Sequence, residues 1–419
     1  MQEDSSEIFF AARTSDWDDV NQDLIFDETR VNVGNRFHDG HTFIANKSGL
    51  YFFSLSAGGT SFEQVILNIE NIDQKTGNIR REGTTINGTD VIYRNTFAFL
   101  DQDQEVKVFS ETPLASNPQD VLTSWGGFNV DYLFDDSVAF LVGRNDTFRP
   151  LGFPTKLNFT DVFIDLGDNF NLTAHRFQAP EPGIYYFSYS VGQLVPYDVR
   201  VGMWKEGPEW SSQSEVESGP QNNNAINMLS KSTMIDVAAG ESVSLRAHRP
   251  FVQSDPDNFQ IAFMGFKYSP SKARQVAWAV HALTSFSGSP GVGLDPVPFE
   301  SIPVNIGDVY NTTTDVFNIP VSGYYFLEFN VGVFGLDRRK PCSAKIVKGG
   351  VPGDEGNFGE VLASVIQTVA PLSYHCVGRS LIAYLEAGDV VRIVADENTA
   401  IYIGLNKQTT FLGFLLLEA

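Results

Sequence analysis

A ladder of aromatic residues closed by one glycine recurs three times in this chain, and no other feature limits its fold so strongly. Walking back from Gly323, which precedes Tyr324-Tyr325-Phe326-Leu327-Glu328-Phe329, residues Phe317, Tyr310, Asn305 and Phe299 lie 6, 13, 18 and 24 positions upstream. The same offsets from Gly183, before Ile184-Tyr185-Tyr186-Phe187-Ser188-Tyr189, land on Phe177, Phe170, Asp165 and Phe159. From Gly49, before Leu50-Tyr51-Phe52-Phe53-Ser54-Leu55, Phe43 takes the first offset. Phe37, Asn32 and Phe26 follow once a single deletion is allowed between Phe37 and Phe43. Each copy ends in an aromatic-x-Gly-Phe strand: Trp125-Gly126-Gly127-Phe128, Phe263-Met264-Gly265-Phe266 and Phe411-Leu412-Gly413-Phe414. Upstream of these strands lie the turns Ala239-Gly240-Glu241, Ala387-Gly388-Asp389 and Gln102-Asp103-Gln104. Asp103 replaces Gly there, an exchange tolerated where φ is positive. A pattern repeated at this period implies three copies of one supersecondary unit.

Each unit reads as a β-sandwich. The segment after each signature glycine is apolar in both alternating registers, so Tyr185, Phe187 and Tyr189 face one layer while Tyr186 faces another. The signature glycine is expected to close a turn entering the strand, and the Phe six residues earlier to lie on the preceding hairpin arm. The expected domains are 8–134, 137–269 and 275–419, with Asp135 and Asp136 marking the first connector. Connectors this short predict packed domains. The 34 Phe, 14 Tyr and 36 Gly support an all-β chain. No apolar run reaches the roughly 18 residues that a membrane helix needs, so no membrane insertion is expected. A formal charge of −22 argues against nucleic acid as a partner.

The spaced pattern resembles the globular head of complement C1q, in the C1q/TNF superfamily. Phe, five residues, Asn or Asp, four, an aromatic residue, six, Phe, five, then Gly-x-Tyr-x-Phe-x-aromatic is satisfied throughout from Phe159 to Tyr189. The third copy departs at Leu327, and the first at Leu55 and at the deletion near His38 to His41. The resemblance implies three ten-strand jelly-roll β-sandwiches packed around a pseudo-threefold axis. Family members normally trimerise from separate chains, so three heads in one polypeptide imply a monomeric chain with an intramolecular trimer.

Signals for catalysis are poor. None of the six His lies in a His-Glu-x-x-His arrangement, and neither a Gly-x-Ser-x-Gly elbow nor a phosphate-binding glycine loop is present, so no enzyme is expected. His38 and His41 read as a solvated turn before they read as a metal pair. The resemblance makes Ca²⁺ the candidate ion, with Asp16, Asp18 and Asp19, then Asp101, Asp103 and Glu105, then Asp255 and Asp257 as candidate ligands. Surface acidic runs explain the same clusters, and the metal site stays open at this level. No cofactor is otherwise indicated. Asn46, Asn87, Asn145, Asn158, Asn171 and Asn311 are glycosylation candidates by their Asn-x-Ser/Thr context. Residues Met1 to Glu7 lack the basic and apolar parts of a secretory leader, so a leader is expected to have been removed or never to have existed. Cys342 and Cys376 are spaced as two strands of one sandwich, and an oxidising exterior would join them in a disulfide worth about 2 to 4 kcal/mol.

The function expected from the resemblance is extracellular recognition, as a secreted receptor ligand or adhesion protein of the immune type that binds an extracellular protein or glycan. The alternative is a matrix junction that self-associates. Divergence among the loops 83–90, 218–224 and 349–356 predicts that one unit or one groove carries the partner.

Overall fold

The computed structural model describes residues 6–419 apart from 60–64, 73–74, 82–89, 135–137, 195–196, 207–210, 219–225, 272, 288–292, 335–341, 355–356, 368–373, 397–399 and 402–406. Asn87, Asp135 and Asp136, the loop 83–90 before Asp90 and the loop 218–224 after Ser218 lie outside the described residues. The described structure is almost entirely antiparallel β. It forms six sheets, two per unit, as expected of three jelly-roll sandwiches. In unit one the inner sheet runs in the order Glu28–Val33, Ile8–Ala12, Ser124–Asn129, Gly49–Gly59, Asp90–Leu100. Unit two repeats this order with Asp161–Leu166, Ala139–Arg144, Ile261–Lys267, Gly183–Leu194 and Ile226–Val237. Unit three does so with Ser301–Ile306, Ala277–His281, Thr410–Glu418, Gly323–Phe334 and Tyr374–Leu385.

The ladder residues are structural neighbours. Phe37 pairs with Phe43, Phe170 with Phe177 and Tyr310 with Phe317 across one hairpin of the outer sheet. The deletion in the first copy shortens the turn of that hairpin. The Asn or Asp of the ladder caps the preceding turn, where Gly34-Asn35, Gly167-Asp168 and Gly307-Asp308 all have positive φ. Asn32 Oδ1 accepts from the backbone of Phe37 at 3.0 Å, Asp165 Oδ1 from Phe170 at 3.2 Å and Asn305 Oδ1 from Tyr310 at 2.9 Å. Asp103, with φ 63°, takes the place of Gly240 and Gly388 as the substitution requires.

Gly49, Gly183 and Gly323 are the first residues of their strands, the entry point at which the sequence places them. What they supply is room: a Cβ on Gly49 would stand 2.9 Å from the Asp131 carboxylate, and one on Gly323 would stand 2.3 Å from the Leu417 carbonyl.

The two registers of the strand after that glycine separate as expected. Tyr185, Phe187 and Tyr189 fill the core of unit two, and Tyr186 belongs to a different cluster. That cluster joins the axis to the core of unit three. Phe52, Tyr186 and Phe326, one from each unit, meet edge to face with centroids 5.9, 5.3 and 5.9 Å apart. The Phe of each closing motif joins them: Phe128 stacks on Phe52 at 4.8 Å, and Tyr186 and Phe326 lie 5.2 and 5.1 Å from Phe266 and Phe414. At one end of this layer Phe134 bridges to Pro270, and the Tyr268 hydroxyl donates to the carbonyls of Val276 and Leu415.

Candidate functional site

Three seams arise from this packing, and each is pinned by a buried cation. Arg94, Lys231 and Arg379 occupy matching places in the outermost inner-sheet strand, paired with Leu55, Tyr189 and Phe329. All three are at most 1% exposed. Arg94 of unit one donates to Asn78 O within its own unit and to Asn258 O of unit two, both at 2.8 Å, and also to Phe259 O. Lys231 of unit two donates to Gln408 O of unit three. Arg379 of unit three returns to unit one, donating to Asp120 O and Ser124 Oγ, each at 3.0 Å. The direction is cyclic, so the ring closes on itself. The receiving loops match as well: Val121, Phe259 and Lys407, each six residues before the closing glycine, have φ of 47°, 43° and 52°. Such strain in non-glycine residues persists only where the surroundings fix it. In two of the three loops a guanidinium holds the carbonyl just before the strained residue, and Arg94 holds that of Phe259 itself as well.

A second buried polar layer lies on the axis above the aromatic one. Ser54, Ser188 and Glu328 are equivalent, each five residues after a signature glycine. The single carboxylate draws donors from all three units: Tyr93 Oη at 2.8 Å and Asn95 Nδ2 at 2.9 Å from unit one, Tyr186 Oη at 2.9 Å from unit two, and Asn330 Nδ2 at 3.0 Å from unit three. Burial raises the Glu328 carboxyl above its ordinary range, and these hydrogen bonds with one from Ser232 offset part of that rise.

The seam between units three and one carries an open groove of about 350 Å³. Its floor is apolar, from Phe10 and Val31 of unit one and Leu362, Leu381 and Ile382 of unit three. Its rim is charged and internally paired: Arg30 with Glu28 at 2.9 Å, and Lys348 with Glu360 at 2.8 Å. Tyr384 is 40% exposed beside it. Arg30 also donates across the seam to Leu362 O at 3.3 Å. Its counterparts two residues before the capping Asn or Asp are Phe163 and Pro303, so the Arg30 half of the rim is particular to this seam, whereas Lys205 of unit two holds the place of Lys348.

The sequence-based site expectations separate under the structure. Cys342 and Cys376 are buried thiols, and the expected bridge is not formed. Cys342 packs in the cluster of unit three and the axis, whereas Cys376 turns across the seam into the core of unit two. Strand alternation places the two side chains in different cores, which the sequence separation did not reveal. Among the described residues no three His, Cys, Asp or Glu side chains gather as a metal site. Asp255 spends its oxygens on N–H donors from Asp257, Asn258 and Gln260, which suits a loop cap and not a cation. Asp16 accepts from the backbone of Ser116 at 2.8 Å, and His41 Nδ1 lies 2.9 Å from Asp39 O in the hairpin turn. Asn171 and Asn311 are exposed, while Asn46, Asn145 and Asn158 are half-buried. The seam cations escaped the sequence reading, although a single Lys or Arg stands 33 or 34 positions before each closing glycine. The groove had no comparable signal.

A family model described as the C1q domain matches residues 139–267 and 282–416. The globular domain of zebrafish complement 1qA protein is 17% identical, with a TM-score of 0.27, over 32% of this chain and all (100%) of its own. Murine APRIL at pH 5.0 is 14% identical, with a TM-score of 0.28, over 34% of this chain and 100% of its own. Eiger TNF from S. frugiperda is 13% identical, with a TM-score of 0.27, over 35% of this chain and 96% of its own.

Proposed function

The chain belongs to the C1q domain family, and from that premise we propose that it is a secreted, non-enzymatic recognition protein that works as a single-chain trimer and takes one extracellular protein partner in the groove between units three and one. Its domains are then 8–134, 137–269 and 275–419. The observation that supports this reading most is the groove at the three–one seam, an apolar floor ringed by two ion pairs among the described residues. An apolar centre with a charged rim suits a protein surface, which supplies side chains for the floor and countercharges for the rim. The cyclic cation contacts support the single-chain trimer, since every unit has both its neighbours within the same polypeptide. Fusion makes assembly intramolecular and leaves each copy able to diverge alone.

The test has two parts. Light scattering of dilute protein should return one chain mass, and a self-associating particle would favour a matrix role instead. A binding screen against extracellular proteins, with a glycan array beside it, should then yield a protein that binds once per chain. Arg30→Glu with Lys348→Glu should abolish that binding, and Phe163→Glu at the equivalent place between units one and two should not. Three equivalent sites, or indifference to the groove variants, would defeat the proposal.

A further inference from the structure

The seams differ at their margins as well as in their clefts. In each unit the strand bordering the preceding unit, Glu28–Val33, Asp161–Leu166 or Ser301–Ile306, turns and starts the outer-sheet hairpin. Glu28–Val33 packs against Tyr374–Leu385 of unit three, and Ser301–Ile306 against Ile226–Val237 of unit two. Within Asp161–Leu166, Phe163 lies 5.1 Å from Phe259, whose carbonyl receives Arg94 of unit one. The residue five positions beyond the strand end is Asn171 in unit two and Asn311 in unit three, so each lies at most about 17 Å of chain from its seam strand.

Both begin Asn-x-Thr acceptors, Asn171-Leu172-Thr173 and Asn311-Thr312-Thr313. Both are exposed. Their hydrogen bonds use the side-chain carbonyl, which accepts from Ala174 N at 2.8 Å and from Thr313 N at 2.9 Å. The amide nitrogen, the atom that would bond to sugar, makes no hydrogen bond among the described residues. The other described candidates are built into the fold. Asn46, Asn145 and Asn158 are half-buried, and Asn46 and Asn158 are held against the guanidinium groups of Arg36 and Arg144, while the Thr147 hydroxyl of the Asn145 acceptor donates to Gln253 at 3.0 Å. In unit one the hairpin place is His38, which begins no acceptor.

We propose that N-linked glycans are carried at Asn171 and Asn311, flanking the one–two and two–three seams, and that the equivalent hairpin at the three–one seam carries none, so that its groove stays open to a partner. This rests on the reading of the protein as secreted. A branched, hydrated oligosaccharide at a hairpin beside a seam sweeps the mouth of that seam. The two glycans would therefore hinder a large partner at the one–two and two–three seams without altering the packing of the units.

The experiment uses the full chain, secreted from a eukaryotic host behind an added leader, with glycopeptide mapping before and after enzymatic release of N-glycans. Occupancy is expected at Asn171 and Asn311 and lost in Asn171→Gln and Asn311→Gln. An empty Asn171 or Asn311, or equal occupancy at Asn46 and Asn158, would overturn the site assignment. Hydroxyl-radical footprinting then reads the shielding. Phe99 at the one–two seam and Tyr384 at the three–one seam occupy equivalent places and are 52% and 40% exposed. Releasing the glycans should raise oxidation of Phe99 and leave Tyr384 unchanged, whereas equal changes at both would overturn the shielding. Fractionation of the natural source answers the separate question of secretion. A native protein found inside cells would end that reading and the proposal's biological setting, while the mapping would still judge the sites.

Discussion

The seam closed by Arg379 and the seam closed by Lys231 perform the same mechanical task with different chemistry. Arg379 spreads its guanidinium over Asp120 O, Ser124 Oγ and, at 3.5 Å, Ser364 O, so one side chain satisfies partners in units three and one together. Lys231 reaches Gln408 O, and burial lowers its pKa to about 8. Around Lys231 stand Cys376, Glu328 and Glu215, and the fully buried His281 lies nearby with Nε2 3.5 Å from Thr233 Oγ1. The place of His281 is taken by Ala12 and Gly143 in the other units. The lesson is that repetition of a fold preserves where a cation must stand but not how tightly it is held or whether it titrates.

The largest expected effect tests that contrast directly. Arg379→Met leaves the carbonyls of Asp120 and Ser364 and the Ser124 hydroxyl without their donor and should lower stability by about 3 to 5 kcal/mol. Lys231→Met removes a singly bonded buried ammonium and should cost about 1 kcal/mol or less. Urea unfolding of the two variants provides the comparison, and equal losses would break it.

The axial carboxylate comes next. Glu328→Ser gives all three units the same residue, yet it leaves Tyr93, Tyr186 and Asn95 short of their acceptor. A loss of about 1 to 3 kcal/mol is expected, and a symmetric variant as stable as the wild type would show that the asymmetry carries no weight.

Acid should act mainly at the lysine seam. Burial, then Lys407 and Lys231, hold the His281 pKa well below its ordinary value. Below a pH of about 6.5 the unfolded chain takes a proton that folded His281 refuses, so this contribution to stability is present above that pH and lost as pH falls. The limiting slope for one such group is about 1.4 kcal/mol per pH unit. His175 and His248 shift in the same direction, while Glu328, with its raised pKa, opposes them by gaining stability on acidification. His281→Gln should therefore flatten the acid limb without abolishing it. An unchanged limb in stability measured from pH 7 to about 5 would remove the lysine seam from the account.

The smallest effect concerns the cysteines. Reductant should leave the unfolding midpoint unchanged, and both thiols should alkylate under denaturing conditions without prior reduction. Stabilisation lost on reduction would reinstate the bridge that the structure replaces with two separate thiols.

The sequence by itself determined the repeated unit, and the reasons are local. Phe37 and Phe43, Phe170 and Phe177, and Tyr310 and Phe317 are cross-strand neighbours within one hairpin. The Asn or Asp before them caps a turn whose positive φ only a few residues accept. Two-register apolarity in the strand of Tyr185 and Tyr186 announced two buried faces, and both exist. What only the tertiary structure decided depends on which unit lies beside which. Cys376 could be assigned to a core only once its strand was seen to face unit two. Arg94, Lys231 and Arg379 became seam cations only when a loop more than 20 residues downstream of the neighbouring unit's edge strand, or in the first unit again, presented its carbonyls. The groove at Arg30 and Lys348 joins residues more than 300 positions apart. Alternation and turn geometry act over a few residues and leave a pattern in the chain. A seam is made by surfaces meeting across space, and nothing in the spacing of one unit records the side chains of the next.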